Sequence, residues 1–360
     1  MRRTGIADMP LHYGKMPSWL FGRMVQLARQ ITMAIVTEYG SEEMVKRLSD
    51  PYWFHAFGCA LGFDWNSSGL TTTVCGALKE GLRGLEQDLG IFVAGGKGGT
   101  SRKTPQEIER FATKFPIATP ATSLIYSSRM SAKVDNTALQ DGYQLYHHNF
   151  IFTRSGLWTV IQQGMNPESR WARRYHWLSS EVKDFVCEPE KAICCDHKGK
   201  VLNLVAKESD EARTTSASLS RENPAKLIAE IKDLPTLKLP REHQLFFQSL
   251  KPSYLSRVLL STYEQQPENF ERLLGIKGVG PKTIRALSLL SELIYGVKVS
   301  RRDPVKYSFA HGGKDGYPYM LDRTTYDRSI EILKKAITDA KLGRSEKIEA
   351  LKRLGKGRKK

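Results

Sequence analysis

Tyr143-Gln144-Leu145-Tyr146-His147-His148-Asn149-Phe150-Ile151-Phe152-Thr153-Arg154-Ser155-Gly156-Leu157-Trp158-Thr159-Val160-Ile161-Gln162-Gln163 is dense in aromatic and β-branched residues. Such side chains favour a pleated, half-buried strand over a helix. Thr153-Arg154-Ser155-Gly156 interrupts the run, so 143–152 and 157–163 are expected to pair as a β-hairpin. Successive strand residues point to opposite faces, so His147 and His148 cannot both face one site. Polar residues are crowded here: Tyr143, His147, His148, Gln162 and Gln163 sit among apolar neighbours.

Working outward, 165–174 carries Arg170, Arg173, Arg174 and Trp171, then runs into Tyr175-His176-Trp177. It reads as a basic helix whose arginines and aromatics suit phosphate clamping and stacking on splayed bases. Upstream, helices are expected at 19–39, 42–48 and 71–85 and a strand at 91–94. Gly95-Gly96-Lys97-Gly98-Gly99-Thr100-Ser101-Arg102-Lys103 follows. It lacks the glycine spacing of a Walker loop; Lys97 and Arg102 suit a backbone-phosphate contact or a closing loop. Downstream, 193–195 and 201–205 are strand-like, and 206–223 reads as a linker or surface excursion. From 224 the chain reads as helical, at 225–234 and 243–265. The fold class is α+β. Residues 1–205 form a mixed α/β region with a small, mixed sheet and the catalytic machinery, and 206–300 a helical DNA-binding region. A polar loop and helix occupy 301–342, and a basic tail 343–360.

Within the helical part, Leu273-Leu274-Gly275-Ile276-Lys277-Gly278-Val279-Gly280-Pro281-Lys282-Thr283-Ile284-Arg285-Ala286-Leu287 places a glycine turn between two helices. Pro281 suits a first helical position, where its missing N–H costs nothing. Gly278 and Gly280 allow positive φ and close approach. The N–H groups of Gly280, Lys282 and Thr283 would form an anion-binding helix start, to which Lys282 adds a full charge. The stretch resembles the helix-hairpin-helix motif of DNA-repair and replication proteins, which implies a grip on the duplex backbone without base reading. Glycosylases with this motif place a Schiff-base lysine at the Lys-Thr position and an Asp about twenty residues on. The corresponding positions are Lys282 and Asp303, 21 apart.

The 360 residues carry a net charge of +17, and the last twenty hold nine Lys or Arg against two Glu. That balance favours a polyanionic partner: DNA, as duplex backbone and as single strand. Five cysteines without a Cys-x-x-Cys pair exclude a zinc ribbon, and nothing reads as a secretory signal or membrane span. The expectation is a soluble, cytoplasmic protein associated with the nucleoid.

Several strings carry a further resemblance: 1–15, Gly62-Phe63-Asp64-Trp65, Gly95-Gly96-Lys97-Gly98, Gln162-Gln163-Gly164-Met165-Asn166, Arg173-Arg174-Tyr175-His176-Trp177 and 303–316. Together they are similar to the domain of unknown function 763 family over nearly the whole chain. The resemblance implies no activity. Two positions where that family commonly has His are Asn66 and Glu190 in this chain.

The candidate catalytic set is Asp64, His147, His148, Gln162, Gln163, Arg174 and His176. Asp64 and His148 would hold Mg²⁺ or Mn²⁺, Arg174 or Lys97 would face a scissile phosphate, and a histidine would carry protons. Gly278, Val279, Gly280, Lys282, Thr283, Lys97, Arg102, Arg170 and Arg173 are the expected DNA contacts. The expected function is a metal-dependent nuclease in DNA repair. The alternatives are a glycosylase using Lys282 and Asp303, and a binding protein without turnover.

Overall fold

The computed structural model describes residues 18–63, 68–195, 198–233 and 252–305, with isolated positions between 331 and 351. Asp64, the start of the helix expected at 243, the 306–316 part of the polar loop, and most of the last helix and tail lie outside the described residues.

Four helices come first: α1 (Ser18–Tyr39), α2 (Ser41–Ser49), α3 (Pro51–Leu61) and α4 (Gly69–Leu82). Asp50 shows why α3 begins where it does. Its carboxylate accepts from the N–H groups of Tyr52 at 2.8 Å and Trp53 at 3.0 Å, while Pro51 opens the helix. A single turn, α5 (Glu86–Leu89), leads into β1 (Ile91–Lys97). A 3₁₀ turn (Gly98–Lys103) then precedes α6 (Thr104–Lys114) and α7 (Ala121–Lys133). The stretch expected as a glycine-rich loop is therefore regular: the strand continues to Lys97, and the turn runs straight into α6. Gly95 has φ +91, and a Cβ there would stand 2.2 Å from the His148 carbonyl oxygen, so only glycine lets β1 lie this close to its neighbour.

A π turn (Val134–Ala138) and the short β2 (Leu139–Gln140) lead into β3 (Gln144–Thr153), β4 (Trp158–Asn166), β5 (Trp171–Leu178) and β6 (Ala192–Cys194). The sheet order is β1-β3-β4-β5-β6 and every pairing is antiparallel, so the expected mixed sheet is replaced by an antiparallel one in an α+β fold. The stretch expected as a basic helix is a tight turn followed by β5. Alternation wins there over charge, because Ala172, Arg173, Arg174, Tyr175, His176 and Trp177 are all buried.

The sheet is covered on both faces. Ile91, Val93, Ile151 and Ile161 join the core of α1–α4. Phe92, Phe150, Phe152, Val160 and Trp177 join a second core with α6, α7 and the C-terminal helices. Those helices are α8 (Asp210–Leu219), α9 (Pro224–Asp233), α10 (Pro252–Gln265), α11 (Phe270–Gly275) and α12 (Pro281–Tyr295), and β7 (Leu202–Asn203) pairs with β2. The expected linker at 206–223 is thus mostly α8, which buries Ala212, Ser216 and Leu219 and packs on α12. Arg213 fixes its start by donating to the carbonyls of Leu204 at 2.7 Å and Ala206 at 2.8 Å. One apolar core runs from Phe92 to Val305, across the expected boundary at 205. No helix among the described residues is long and apolar enough to cross a membrane.

Candidate functional site

Period-two geometry splits the expected catalytic set. His148 and Gln162 pair across β3 and β4 and face α7. His147, Gln163, Arg174 and His176 face α2–α4 instead.

On the α7 side, one helix face supplies Ser128 and Ser131, and the wider π turn swings Asp135 back under the sheet. Ser128 Oγ lies 2.9 Å from His148 Nε2, and His148 Nδ1 lies 2.8 Å from Gln162 Oε1. Gln162 Nε2 donates to the Ser131 carbonyl at 3.0 Å and to Asp135 Oδ2. With both amide protons so committed, Oε1 must accept from His148 Nδ1, which leaves Nε2 to accept the Ser128 hydroxyl. Burial lowers His148 to about 4, partly offset by Gln162, so the ring is neutral at pH 7. Asp135 also accepts from Trp177 Nε1 at 2.9 Å. Burial, then the charge of Glu190 and its hydrogen bond, raise Asp135 well above the carboxylate range.

The Ser128–His148 pair opens on a cavity of about 380 Å³, whose walls include Arg102, Arg129, Tyr146 and His147. A larger groove of about 970 Å³ adjoins it, sharing Arg102 and Arg129 and reaching Lys133, Gly275, Gly280 and Pro281. The turn after α11 therefore borders a groove that adjoins the cavity at the serine. Gly278 has φ +94, whereas Gly280 is extended and needs no glycine for its backbone angles. Val279, Ile284 and Leu287 anchor the turn in the core, and Lys133 Nζ donates to the Val279 carbonyl. The first turn of α12 has no side-chain cap; the Thr283 side chain is buried and Lys282 is exposed.

The side facing α2–α4 is closed. Gln163 Nε2 donates to the Ser68 carbonyl at 2.9 Å and to the Tyr146 hydroxyl. Arg174 reaches Thr71 Oγ1 at 3.2 Å and lies 5.0 Å from the Phe54 ring centre. A buried guanidinium wedged between helices has no path to a scissile phosphate, which corrects the role expected for it. Among the described residues, both ring nitrogens of His147, the Asn149 amide and Gln163 Oε1 have no hydrogen-bond partner. Burial first, then His148 and Lys97, lowers His147 to about 3. His176 is driven well below its ordinary value by burial and then Arg174.

Among the described residues, no three His, Cys, Asp or Glu come together to hold a metal. His148 is engaged at both nitrogens, so the expected Asp64–His148 metal pair loses its histidine. Arg173 is not a DNA contact: it is fully buried, 2.9 Å from both Asp141 and Asp303, and lies over the Tyr143 ring. The same bridge removes Asp303 from the lyase scheme. Its carboxylate serves Arg173 and the Gly199 N–H, while no hydrogen bond or ion pair among the described residues joins it to Lys282. Lys97, Arg102 and Arg170 are exposed, as phosphate contacts require.

Comparison with known proteins bears on what such a groove belongs to. The model of a family described as "Protein of unknown function (DUF763)" matches residues 5–321. The chain belongs to the DUF763 family. No curated protein and no solved structure matches this DUF763 chain. The site in this family member must therefore be read from its own residues. Ser128, Arg129, Lys133 and Asp135 were missed by the sequence reading. The spacing of Ser128, Ser131 and Asp135, three and then four residues apart, was the available signal for one polar helix face.

Proposed function

We propose that this DUF763 protein binds DNA along the groove between the α11–α12 turn and α7, and cleaves phosphodiester bonds in the adjoining cavity lined by Ser128 and His148. The observation that carries the reading is the shared lining: Arg102 and Arg129 border both the cavity at the serine and the groove at the turn. The turn is read as a helix-hairpin-helix, with the uncapped N–H groups of α12 and the exposed Lys282 meeting one phosphate. The net charge of +17 supplies long-range attraction. DNA repair is the setting this combination suits, with damaged or partly unpaired DNA as substrate.

Mg²⁺ or Mn²⁺ has open donors at His147, Asn149 and Gln163. That set holds no carboxylate, and hard cations prefer carboxylate oxygens. Cleavage of end-labelled duplex, single-stranded, flapped and lesion-bearing DNA is therefore measured with Mg²⁺, with Mn²⁺ and with EDTA. Cleavage in any arm supports the reading; tight binding with none would leave a DNA-binding protein without turnover. Arg102→Ala and Arg129→Ala should each weaken binding and reduce the slope of log affinity against log salt by about 1. An unchanged slope for both variants would place the DNA elsewhere.

A further inference from the structure

The geometry points to Ser128 as the nucleophile of a covalent reaction on a phosphate ester, with His148 as its general base and Gln162 as the group that holds the imidazole in register. This rests on reading the groove as a phosphate-ester site, and it goes further by naming the attacking atom and a phosphoserine intermediate.

Three observations converge on the serine. Ser128 Oγ is 2.9 Å from His148 Nε2, within reach for direct proton transfer. The far side of the imidazole is fixed by Gln162 Oε1 at 2.8 Å, and Gln162 is itself fixed by Ser131 and Asp135. A base held in one tautomer by a third group is the arrangement that activates a hydroxyl. Finally, Ser128 and His148, both mostly buried, line the wall of the 380 Å³ cavity together with Arg102 and Arg129, so the pair borders a space that carries positive charge.

The amide has a chemical consequence. A carboxylate at the position of Gln162 would favour the imidazolium in the resting protein; an amide fixes the tautomer and leaves the ring neutral. Burial reinforces this, holding His148 down at about 4. A phosphate ester entering beside the ring brings negative charge, which favours the imidazolium and raises His148 toward a useful range. The base therefore strengthens when substrate is present.

In the first step the Ser128 Oγ–P bond forms and the P–O bond to the leaving alcohol breaks. The serine proton passes to His148 Nε2 and from there to the leaving oxygen. In the second step His148 takes a proton from water, the water oxygen bonds to phosphorus, and the Oγ–P bond breaks as Ser128 regains its proton. The products are an alcohol and a phosphomonoester, and no oxidant or further reactant is consumed.

The full-length protein is treated with a fluorophosphonate probe at pH 7.5 in EDTA, and the adduct is located by peptide mass spectrometry. The expected result is one adduct, on Ser128, absent in Ser128→Ala and formed roughly 100-fold more slowly in His148→Gln. Bis(4-nitrophenyl) phosphate should slow labelling and be hydrolysed. The site in the unaltered protein is read first, so poor folding of a variant cannot hide it. No adduct at Ser128, or equal labelling rates with and without His148, overturns the assignment. DNA cleavage undiminished in Ser128→Ala also overturns it, while leaving phosphodiester cleavage itself intact. Labelling of Ser128 and hydrolysis of the small diester in a protein that cleaves no DNA would uphold the nucleophile and remove DNA as its substrate.

Discussion

On the face of the sheet turned toward α7, His148 and Gln162 have every polar atom engaged; on the face turned toward α2–α4, their sequence neighbours His147 and Gln163 do not. The two His–Gln pairs are matched in type, strand and register. The difference lies in what packs against them. α7 and the π turn after it bring hydroxyl, carbonyl and carboxyl groups to one pair, while among the described residues the other meets the Ser68 carbonyl and the Tyr146 hydroxyl. Residue identity alone does not make a site; the facing helix decides whether a buried histidine becomes part of a relay.

Acid tests both faces together. His148 and His147 are lowered below 6.5, to about 4 and about 3. Folding therefore favours their neutral forms, and this stability is present above pH 6.5 and lost as pH falls toward those values. Asp135, raised, works in the opposite sense and loses stability as pH rises from the ordinary carboxyl value. Comparing variants cancels it. Between pH 7 and pH 5 the unaltered protein should lose about 2 kcal/mol more stability than His148→Gln, measured by urea unfolding. Parallel curves would mean that His148 is not held neutral.

Removing each glutamine separates the faces. Gln162→Leu strands His148 Nδ1, the Ser131 carbonyl and one partner of Asp135, and should cost about 3 kcal/mol. Gln163→Leu removes two donated bonds together with an unpaired oxygen and should cost about 1 kcal/mol. Equal losses on denaturant titration would erase the distinction between the faces.

The smallest effect is the most pointed. His147→Leu replaces two unpartnered nitrogens with methyl groups and should leave stability unchanged or raise it by about 1 kcal/mol. A drop of similar size that appears only with added Mn²⁺, as lost stabilisation by the ion, would identify His147 as a metal ligand.

The hairpin at 143–163 was legible because its turn and its β-formers agree, and the opposed directions of His147 and His148 follow from the strand period. The helices at 19–39 and 42–48 and the glycine turn before Pro281 were legible for similar local reasons. β5 was misread because Arg173 and Arg174 look solvent-bound in one dimension. Arg173 is buried against Asp141 and Asp303, more than thirty and more than a hundred residues away in sequence. The same limit hid Ser128. The spacing of Ser128, Ser131 and Asp135 marks only a polar helix face, and it is the docking of α7 on β3 that brings Ser128 to His148. The 206–223 stretch was misread as linker because its small polar residues carry little hydrophobic signal, although small size is what allows α8 to pack closely against α12.

Lys133 tethers the end of α7 to the carbonyl of Val279, and Ser128 lies five residues back along the same helix. At a rise of about 1.5 Å per residue, the two are separated by about 7.5 Å along the helix axis. One DNA strand advances about 3.4 Å per nucleotide, so that interval corresponds to roughly two steps of the backbone. Under the proposed function α7 is a ruler with its zero mark at the turn, and the distance from the held phosphate to the cut bond is set by the helix and not by the base sequence. Its products would share a constant offset from whatever junction or lesion the turn engages.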